Sequence, residues 1–430
     1  MRPLLPIVFN QLVTLGFGIV WMKLVSEFIE PEINDAYGRF LTLTQLGMLL
    51  THSGLINHTT RYWQRESAQA GIYARFLWSI SWQALKYLVP LLVITVLGVS
   101  LFYQDPIWIW ILPFLILGNI AMALNMTGTG ALNAERRPWS VLFLSSVGGA
   151  ARLFLPLGLA LLTSVTLVTL SVGFALHGLV LIGCLLLLFR STIGSPRPPE
   201  AQATKWVQEL REYGRPFVWL GVGAWLMQNA DRWVVALFFG KMQSGHFVFA
   251  TGIGSIIPTM IIGALMQLVF PAIFRQADLA KTQQDWQSIA KRCDQITVVF
   301  LILSFTGLFM LTLIGPYLVG SLISAKYAPA VAMLFPAGLA MVAAQVNQFH
   351  YLLLQGQHNS VGMIKVMMII AGIKTTGSII AAAISWPAFI GWLILSPVVS
   401  GFMGRHLIRN MALGNNALLS VKENTGQITP

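Results

Sequence analysis

Charged residues are scarce in this sequence. Only 10% of its 430 residues are Asp, Glu, Lys or Arg, whereas a soluble protein carries about 25%. Hydrophobic residues make up 56%, and the mean hydropathy is +0.72. A soluble fold of this size needs more polar surface than such a chain contains. The composition therefore excludes a soluble enzyme, a nucleic-acid-binding module and a disordered scaffold, and it indicates a protein of the lipid bilayer.

Cysteine and acidic residues are also few. The two cysteines, Cys184 and Cys293, cannot build a disulfide framework and are expected to be isolated thiols. The chain has 15 acidic residues and 27 Lys and Arg, which gives a net charge of +12. We attribute this excess to the basic cytoplasmic loops of a membrane protein rather than to nucleic-acid binding. The sequence contains no G-x-x-x-x-G-K-[ST] phosphate loop, so ATP hydrolysis is not expected. No cofactor and no metal site is predicted.

Long apolar runs occupy most of the chain. A spanning helix needs about 20 mostly apolar residues. This template predicts an all-α, polytopic membrane protein with twelve spans, at residues 4–25, 40–60, 77–102, 107–132, 139–163, 165–189, 216–239, 246–273, 296–319, 329–354, 360–384 and 387–409. Pro258 and Pro336 are predicted to break the eighth and tenth spans. The first run carries Asn10 and Gln11 and lacks a small-residue cleavage site, so we expect a retained span rather than a signal peptide.

The loop charges predict the orientation. Most loop lysines and arginines lie on the side of the two termini, whereas the other side has only Lys23, Arg39, Lys241 and Lys326 and an acidic run at 27–35. The positive-inside rule then places both termini in the cytoplasm.

The chain also shows signs of an internal duplication. Gly38-Arg39-Phe40 opens the second span and Gly245-His246-Phe247 opens the eighth, while Leu132 and Leu354 begin similar turns at an offset of 222 (354 − 132). A polar stretch between the halves supplies the boundary. The predicted organisation is an N-terminal six-helix bundle at 1–190, a cytoplasmic linker at 191–214, a C-terminal six-helix bundle at 215–410 and a cytoplasmic tail at 411–430.

Five basic residues remain after the loop lysines and arginines, including those at the ends of spans, are assigned to the two sides of the membrane. Each costs at least about 2.5–3.5 kcal/mol at the centre of a spanning helix. Asp231 is the only acidic residue that the predicted spans contain, so most of these cations are expected to lack a protein counterion and to line a water-filled, anion-binding cavity. The residues are Arg152, Lys374, Lys86, Arg232 and Lys365. The alternative is structural: Lys365 could snorkel to the membrane surface, and Asp231 and Arg232 could neutralise each other or neighbouring residues.

Arg152 and Lys374 are the strongest candidates among the five. Their offset is also 222 (374 − 152), equal to that of the turns, so the duplication places one cation at equivalent depth in each half. Polar side chains on other spans are candidates for a cavity lining, or for hydrogen bonds that hold helices together. They are Gln45, His52, Gln228 and Gln348.

The sequence resembles the polysaccharide transporter branch of the multidrug/oligosaccharidyl-lipid/polysaccharide exporter superfamily, the O-antigen (Wzx-type) flippases. The resemblance covers nearly the whole chain. It rests on the duplicated twelve-span plan, on Tyr37-Gly38-Arg39-Phe40, on Trp225-Leu226-Met227-Gln228-Asn229-Ala230-Asp231-Arg232, on Gly245 and on the Leu132-Asn133-Ala134-Glu135-Arg136 turn. It implies a V-shaped pair of bundles in the bacterial inner membrane that moves undecaprenyl-pyrophosphate-linked oligosaccharide between leaflets for lipopolysaccharide or other surface glycans.

The resemblance further implies roles for residues and partners. The cations would bind the pyrophosphate while the halves rock in alternating access, and Asp231 would couple transport to an ion gradient or to the membrane potential. Membrane lipids, a polysaccharide polymerase and chain-length machinery are the expected partners, and nucleic acid is not. Two other functions stay open, a multidrug or small-molecule antiporter of the same superfamily and a membrane-embedded glycan polymerase or glycosyltransferase.

Overall fold

The protein is helical in the computed structural model, which describes residues 4–63, 65–66, 69–135, 137–190, 195–280, 282–319, 321–357 and 359–425. In these ranges the only β-type pairing is an isolated bridge between Val319 and Ile323. The all-α prediction is therefore confirmed. The chain forms two compact units, Met1–Trp225 and Leu226–Pro430.

The first unit consists mainly of long apolar helices. Its elements are α1 (Leu4–Phe28), α2 (Pro31–Tyr62), α3 (Ala70–Tyr103), the short α4 (Ile107–Trp110), α5 (Leu112–Ala134), α6 (Pro138–Leu162), α7 (Leu167–Leu188) and α8 (Glu200–Glu209). Pro31 and Pro138 stand at helix starts, where a missing backbone N–H costs nothing. Thr166 caps α7 by accepting a hydrogen bond from the Thr169 backbone N–H.

The linker packs onto the first unit. Trp206 of α8 is fully buried against the rings of Tyr73 and Phe76, with centroids 5.1 Å away in each case. A single π-helical turn, Leu210–Gly214, then joins α8 to the next helix. Burial of these aromatic rings removes a large apolar area from water, and the linker is thus part of the first unit, Met1–Trp225.

The second unit follows a helix that starts in the first. Its elements are α9 (Arg215–Gly254), α10 (Ile256–Leu279), α11 (Gln283–Leu318), α12 (Ala328–Val331), α13 (Leu334–Gln345), α14 (Gln348–Gly356), α15 (Ser360–Ile384) and α16 (Trp386–Thr425). Gly240 interrupts α9 with φ of 86°, a value that glycine adopts without steric cost. The breaks before α10 and α13 lie just ahead of Pro258 and Pro336, which cannot continue a regular helix.

The apolar helices agree with a multi-pass membrane protein. Among the described residues nine helical segments are long and apolar enough to span, or ten when the pair Ala325–Val331 and Leu334–Gly356, bent by 55°, counts as one. One of these segments, Glu200–Leu265, contains the predicted seventh span and most of the eighth, which Gly240 separates. The predicted second span lies in α2, which is helical but too polar to be included. With the bent pair counted as one span, these two differences explain why ten segments are found in the described part of the chain where the sequence predicts twelve spans.

Helix bounds reveal the duplication directly. The helix α6 and the helix α15 both have 25 residues, and their first residues are 222 apart (360 − 138). The same offset separates the start of α5 from that of α13 (334 − 112) and the end of α5 from that of α14 (356 − 134). Since both ends of two consecutive spans repeat at one offset, the two halves share a common helical plan.

One carboxylate joins three helices of the second unit. Asp294 of α11 accepts hydrogen bonds from Arg405 Nε at 2.8 Å, from Arg409 Nη1 at 3.1 Å and, on its Oδ1 atom, lies 2.9 Å from His350 Nε2. Such charge-assisted bonds are stronger than neutral ones. They hold α14 and α16 against the part of α11 that lies just before the ninth predicted span.

A close helix approach in the first unit gives a test of this packing. A Cβ at Gly54 of α2 would lie 2.7 Å from the Gly214 carbonyl oxygen, whereas a Cβ at Gly183 of α7 would meet nothing within 4 Å. We expect Gly54→Ala to lower the free energy of unfolding by about 1–3 kcal/mol through overpacking, and Gly183→Ala to leave it unchanged or raise it slightly. Thermal unfolding of the purified protein in detergent measures both. Equal stabilities would contradict the close approach.

Candidate functional site

A buried ion pair joins two helices of the second unit. Lys374 of α15, with 1% of its surface exposed, pairs through Nζ with Asp231 Oδ2 of α9. The same ammonium donates to the Met227 carbonyl oxygen at 2.9 Å, and Ser378 Oγ donates to the second carboxylate oxygen, Asp231 Oδ1, at 2.6 Å. All these groups have partners, as a buried pair requires.

The spacing of these residues along α9 and α15 brings their polar groups together. Lys374 and Ser378 are four residues apart, so their side chains share a face of α15. Met227 and Asp231 have the same spacing on α9. The Lys374 backbone carbonyl accepts a hydrogen bond from Trp392 Nε1 at 3.1 Å, which fixes this turn of α15 against α16. The two helices α9 and α15 therefore meet through a polar contact inside an apolar unit.

This pairing corrects one expectation. Lys374 was expected to lack a protein counterion, but Asp231 provides one. Asp231 was weighed as a partner for Arg232 or for another neighbour, and the structure shows that Lys374 and Ser378 of α15 engage its two carboxylate oxygens. Adjacent residues on a helix point in different directions, about 100° apart, so Asp231 reaches α15 more readily than the guanidinium beside it.

Arg152, the counterpart of Lys374, has a different environment. Its distance along the sequence from the start of α6 (152 − 138) equals that of Lys374 from the start of α15 (374 − 360). Both positions are about 21 Å along their helices. The side chain of Arg152 is exposed, and within the described ranges it forms no ion pair. It is close enough to Tyr37 and His177 to interact with them electrostatically.

The sequence of α1 explains this difference. The helix α1 packs against α6. The offsets of 222 and 207 that relate the halves place the counterpart of Asp231 between positions 9 (231 − 222) and 24 (231 − 207), and that segment contains no Asp or Glu. The first unit therefore keeps the cation of the repeat without the carboxylate that neutralises it in the second.

Lys86 lies in a cavity of the first unit. The cavity has a volume of about 850 Å³ and is lined by parts of α3, α5, α7 and α8. Lys86 is exposed there beside Gln83, and Arg75 and Arg197 line the same space. Arg152 is not among the lining residues, so the structure does not bring Lys86 and Arg152 into one pocket.

The remaining two cations occupy different surroundings. Lys365 is exposed five residues into α15 (365 − 360), a position that suits snorkelling. Arg232 of α9 is half-buried, and its Nε has no hydrogen-bond partner among the described residues. A buried guanidinium nitrogen without an acceptor is costly, so Arg232 stays a candidate for binding an anion or water.

The four predicted lining residues belong to both units. His52 of α2 is buried, with its Nδ1 2.7 Å from Thr51 Oγ1, which favours a role in packing. Gln45 of α2, Gln228 of α9 and Gln348 of α14 are half-buried. Their role in a lining stays a prediction.

The sequence analysis missed several residues. Asp35 and Arg39 of α2 form an almost fully buried ion pair, with the guanidinium 5.7 Å from the centre of the Trp108 ring. Their spacing of four residues was a usable signal, but both had been placed in or beside an outside loop. Ser378 was missed although it follows Lys374 by one turn. No cluster of metal ligands occurs within the described ranges.

Solved transporters share this fold. An inward-facing multidrug resistance MATE family transporter of the MOP superfamily aligns with a TM-score of 0.62 and 14% identity, over 96% of this chain and 99% of that one. An outward-facing transporter of that description gives 0.59 and 14%, over 96% and 95%. A MATE in complex with MaD5 gives 0.64 and 14%, over 96% of both chains. The chain is thus a multi-pass membrane protein with the fold of the MATE transporters.

Its family follows from the sequence comparison. The family model for "Polysaccharide biosynthesis protein" matches residues 24–332, which is most of the chain. The protein belongs to this polysaccharide biosynthesis family. None of the curated proteins matches it.

The buried ion pair predicts non-additive stability effects. Removal of one partner, in Asp231→Leu or Lys374→Met, leaves a buried charge and should lower the free energy of unfolding by about 3–5 kcal/mol. The double variant removes both charges and should lose much less than the sum. Chemical or thermal unfolding of the four proteins in detergent completes the cycle. Additive losses would mean that the two side chains do not interact.

Proposed function

We propose that this protein is a flippase that moves undecaprenyl-pyrophosphate-linked oligosaccharide, such as an O-antigen or another surface polysaccharide unit, across the bacterial inner membrane. Membership in the polysaccharide biosynthesis family and the transporter fold both support this proposal. Both termini would lie in the cytoplasm, and the polymerase and chain-length machinery would be the partners that use the product. The halves would alternate in access to the two leaflets.

The observation that carries the proposal is the environment of Arg152. An exposed guanidinium about 21 Å into a spanning helix must face water or a ligand, because hydrocarbon does not solvate it. The described residues offer it no carboxylate. The oxygens of a pyrophosphate could accept paired hydrogen bonds from the planar guanidinium group and would supply the missing negative charge. The lipid tail would stay in the bilayer while the phosphates pass the guanidinium.

The buried pair gives Lys374 and Asp231 a different role from direct binding of the pyrophosphate. Lys374 is neutralised by Asp231, so its attraction for a passing anion is reduced. Asp231 stays the candidate for energy coupling, because a proton or another cation on this carboxylate would weaken its bond to Lys374. Loss of that bond would change how α9 and α15 pack within the second unit.

Drug export is the second candidate function. It is favoured by the multidrug transporters that share the fold and by the carboxylate Asp231. Against it, the exposed intramembrane charges, Arg152, Lys86 and Lys365, are cationic and would repel cationic drugs. An enzymatic role has less support, since the described lining residues of the cavity around Lys86 include no Asp or Glu.

Complementation tests the role of Arg152. In a strain that lacks its own flippase, the wild-type gene should restore surface glycan. Arg152→Ala should reduce the display by at least about tenfold, a loss of roughly 1.4 kcal/mol of phosphate binding, and Arg152→Lys should retain part of it. Arg211→Ala, which removes an exposed linker cation, serves as the matched control.

Three outcomes of that experiment are decisive. Normal glycan with folded Arg152→Ala would refute the assigned role of Arg152. No rescue by a wild-type protein that is present in the membrane, together with raised resistance to cationic drugs, would favour the antiporter. Full rescue by the wild type and the control, partial rescue by Arg152→Lys and little by Arg152→Ala would support the flippase.

The coupling role of Asp231 has a test of its own. The double variant Asp231→Leu/Lys374→Met removes the buried pair without leaving an isolated charge. We expect it to transport at a rate that no longer responds when ionophores collapse the proton or sodium gradient, whereas wild-type transport should fall. Surface glycan measured after a pulse of labelled sugar provides the readout. An unchanged response of the double variant to ionophores would contradict the coupling role.

A further inference from the structure

The cavity of the first unit is not lined by Arg152, and the function proposed above does not rest on it. Its volume is about 850 Å³, and the stretch of α3 from Arg75 to Lys86 forms one wall. The linker residue Arg197 and parts of α8 close another side. Trp82, Lys86 and Arg197 are exposed, so the cavity opens to the surroundings of the protein.

The cavity carries charge of one sign. Arg75, Lys86 and Arg197 line it, and no Asp or Glu is among its described lining residues. Arg75 Nη1 donates to the Ser195 carbonyl oxygen at 3.0 Å, which fastens the linker to α3 and places Arg197 two residues further along. Like charges that line one cavity repel each other. An anion bound among them would relieve this repulsion.

Aromatic side chains stand beside these cations. The rings of Trp78 and Trp82 meet edge to face, with centroids 5.9 Å apart and planes at 71°, and Gln83 follows them on α3. Tryptophan is enriched where lipid headgroups meet hydrocarbon, because the indole ring is apolar and its N–H is polar. The wall thus combines the side chains that are typical of a membrane interface.

An apolar stripe continues from the cavity along α3. Ile94, Leu97 and Leu101 are 69%, 45% and 79% exposed. Their spacing from Lys86 keeps them within about 80° of it on the helix surface. A small soluble anion would make no use of such a stripe, whereas the hydrocarbon chain of a lipid would lie along it. The stripe therefore favours a lipid over a free phosphate.

We propose that this cavity binds the phosphate headgroup of an anionic membrane lipid, with Lys86 and Arg197 contacting the phosphate and the hydrocarbon lying on α3. Basic pockets between spanning helices at the cytoplasmic side are suited to such headgroups. The loop charges put the Arg75 end of α3 on that side. The lipid orders the linker and α8 against α3, since Arg197 belongs to the linker.

The bound phosphate group could belong to either of two lipids, a resident glycerophospholipid or a polyprenyl pyrophosphate. The proposal concerns the headgroup site and does not rest on the flippase function, because neither Arg152 nor Asp231 takes part in it. Binding is therefore measured on purified protein without transport, and a failure here leaves the complementation experiment unaffected.

Native mass spectrometry of the full-length protein provides the test. Released from detergent, the wild type should retain phosphatidylglycerol at least about fivefold better than phosphatidylcholine. Lys86→Ala and Arg197→Ala should each weaken that retention by about fivefold, the effect of one cation near an anionic headgroup. Lys86→Arg and Arg197→Lys should retain it. Arg211→Ala is the control, and thermal unfolding verifies that every variant is folded.

Competition identifies the source of the phosphate. If polyprenyl pyrophosphate displaces phosphatidylglycerol at equal concentration, the headgroup site serves the lipid-linked cargo; if it does not, the site holds a resident phospholipid. Either result supports the assignment. Equal retention of both phospholipids, equal binding in folded Lys86→Ala and Arg197→Ala, or displacement by glycerol 3-phosphate alone would overturn it.

Discussion

The cost of placing charge in hydrocarbon governs this protein. Each cation at membrane depth needs a carboxylate, water or a ligand, and the chain uses more than one solution. In the second unit Lys374 is neutralised by Asp231, and in α2 Arg39 is neutralised by Asp35. Lys365 is exposed near the beginning of α15, and Lys86 is exposed in the cavity beside α3. Arg152 is exposed about 21 Å into α6 with no carboxylate among the described residues and outside the Lys86 cavity, and this combination makes it the main candidate for function.

Helical architecture was readable from the sequence because its signals are local. Apolar runs of about 20 residues predict spanning helices, and the offset of 222 found in short sequence matches reappears in the bounds of α6 and α15 (360 − 138). The helix α2 was harder to delimit, since it begins at Pro31, well before the predicted span at 40–60, and includes polar residues that resemble a loop. Burial of Asp35 and Arg39 depends on packing that no local pattern reveals.

Pairing between distant residues was the main thing that sequence reasoning missed. Asp231 and Lys374 are 143 residues apart, and either Arg232 or Lys374 was a reasonable partner for the carboxylate on charge alone. Geometry decides between them, because α9 and α15 place Asp231 beside Lys374 and Ser378. The cavity around Lys86 was missed for a similar reason, since it needs the linker residue Arg197 to return to α3. A duplicated sequence thus predicts equal helices, but not equal charge balance.

The attachment of the linker to the first unit bears on how the protein is made. Gly214 touches Gly54, Trp206 is buried with Tyr73, and Trp225 Nε1 donates to the Thr42 carbonyl oxygen at 2.8 Å. All these contacts join residues that are synthesised before those of the second unit. Chains fold domain by domain from the amino terminus during synthesis. The first unit can therefore fold, with the beginning of α9 already packed against it, before Lys374 is synthesised. Asp231 is then in place before its partner Lys374 is available.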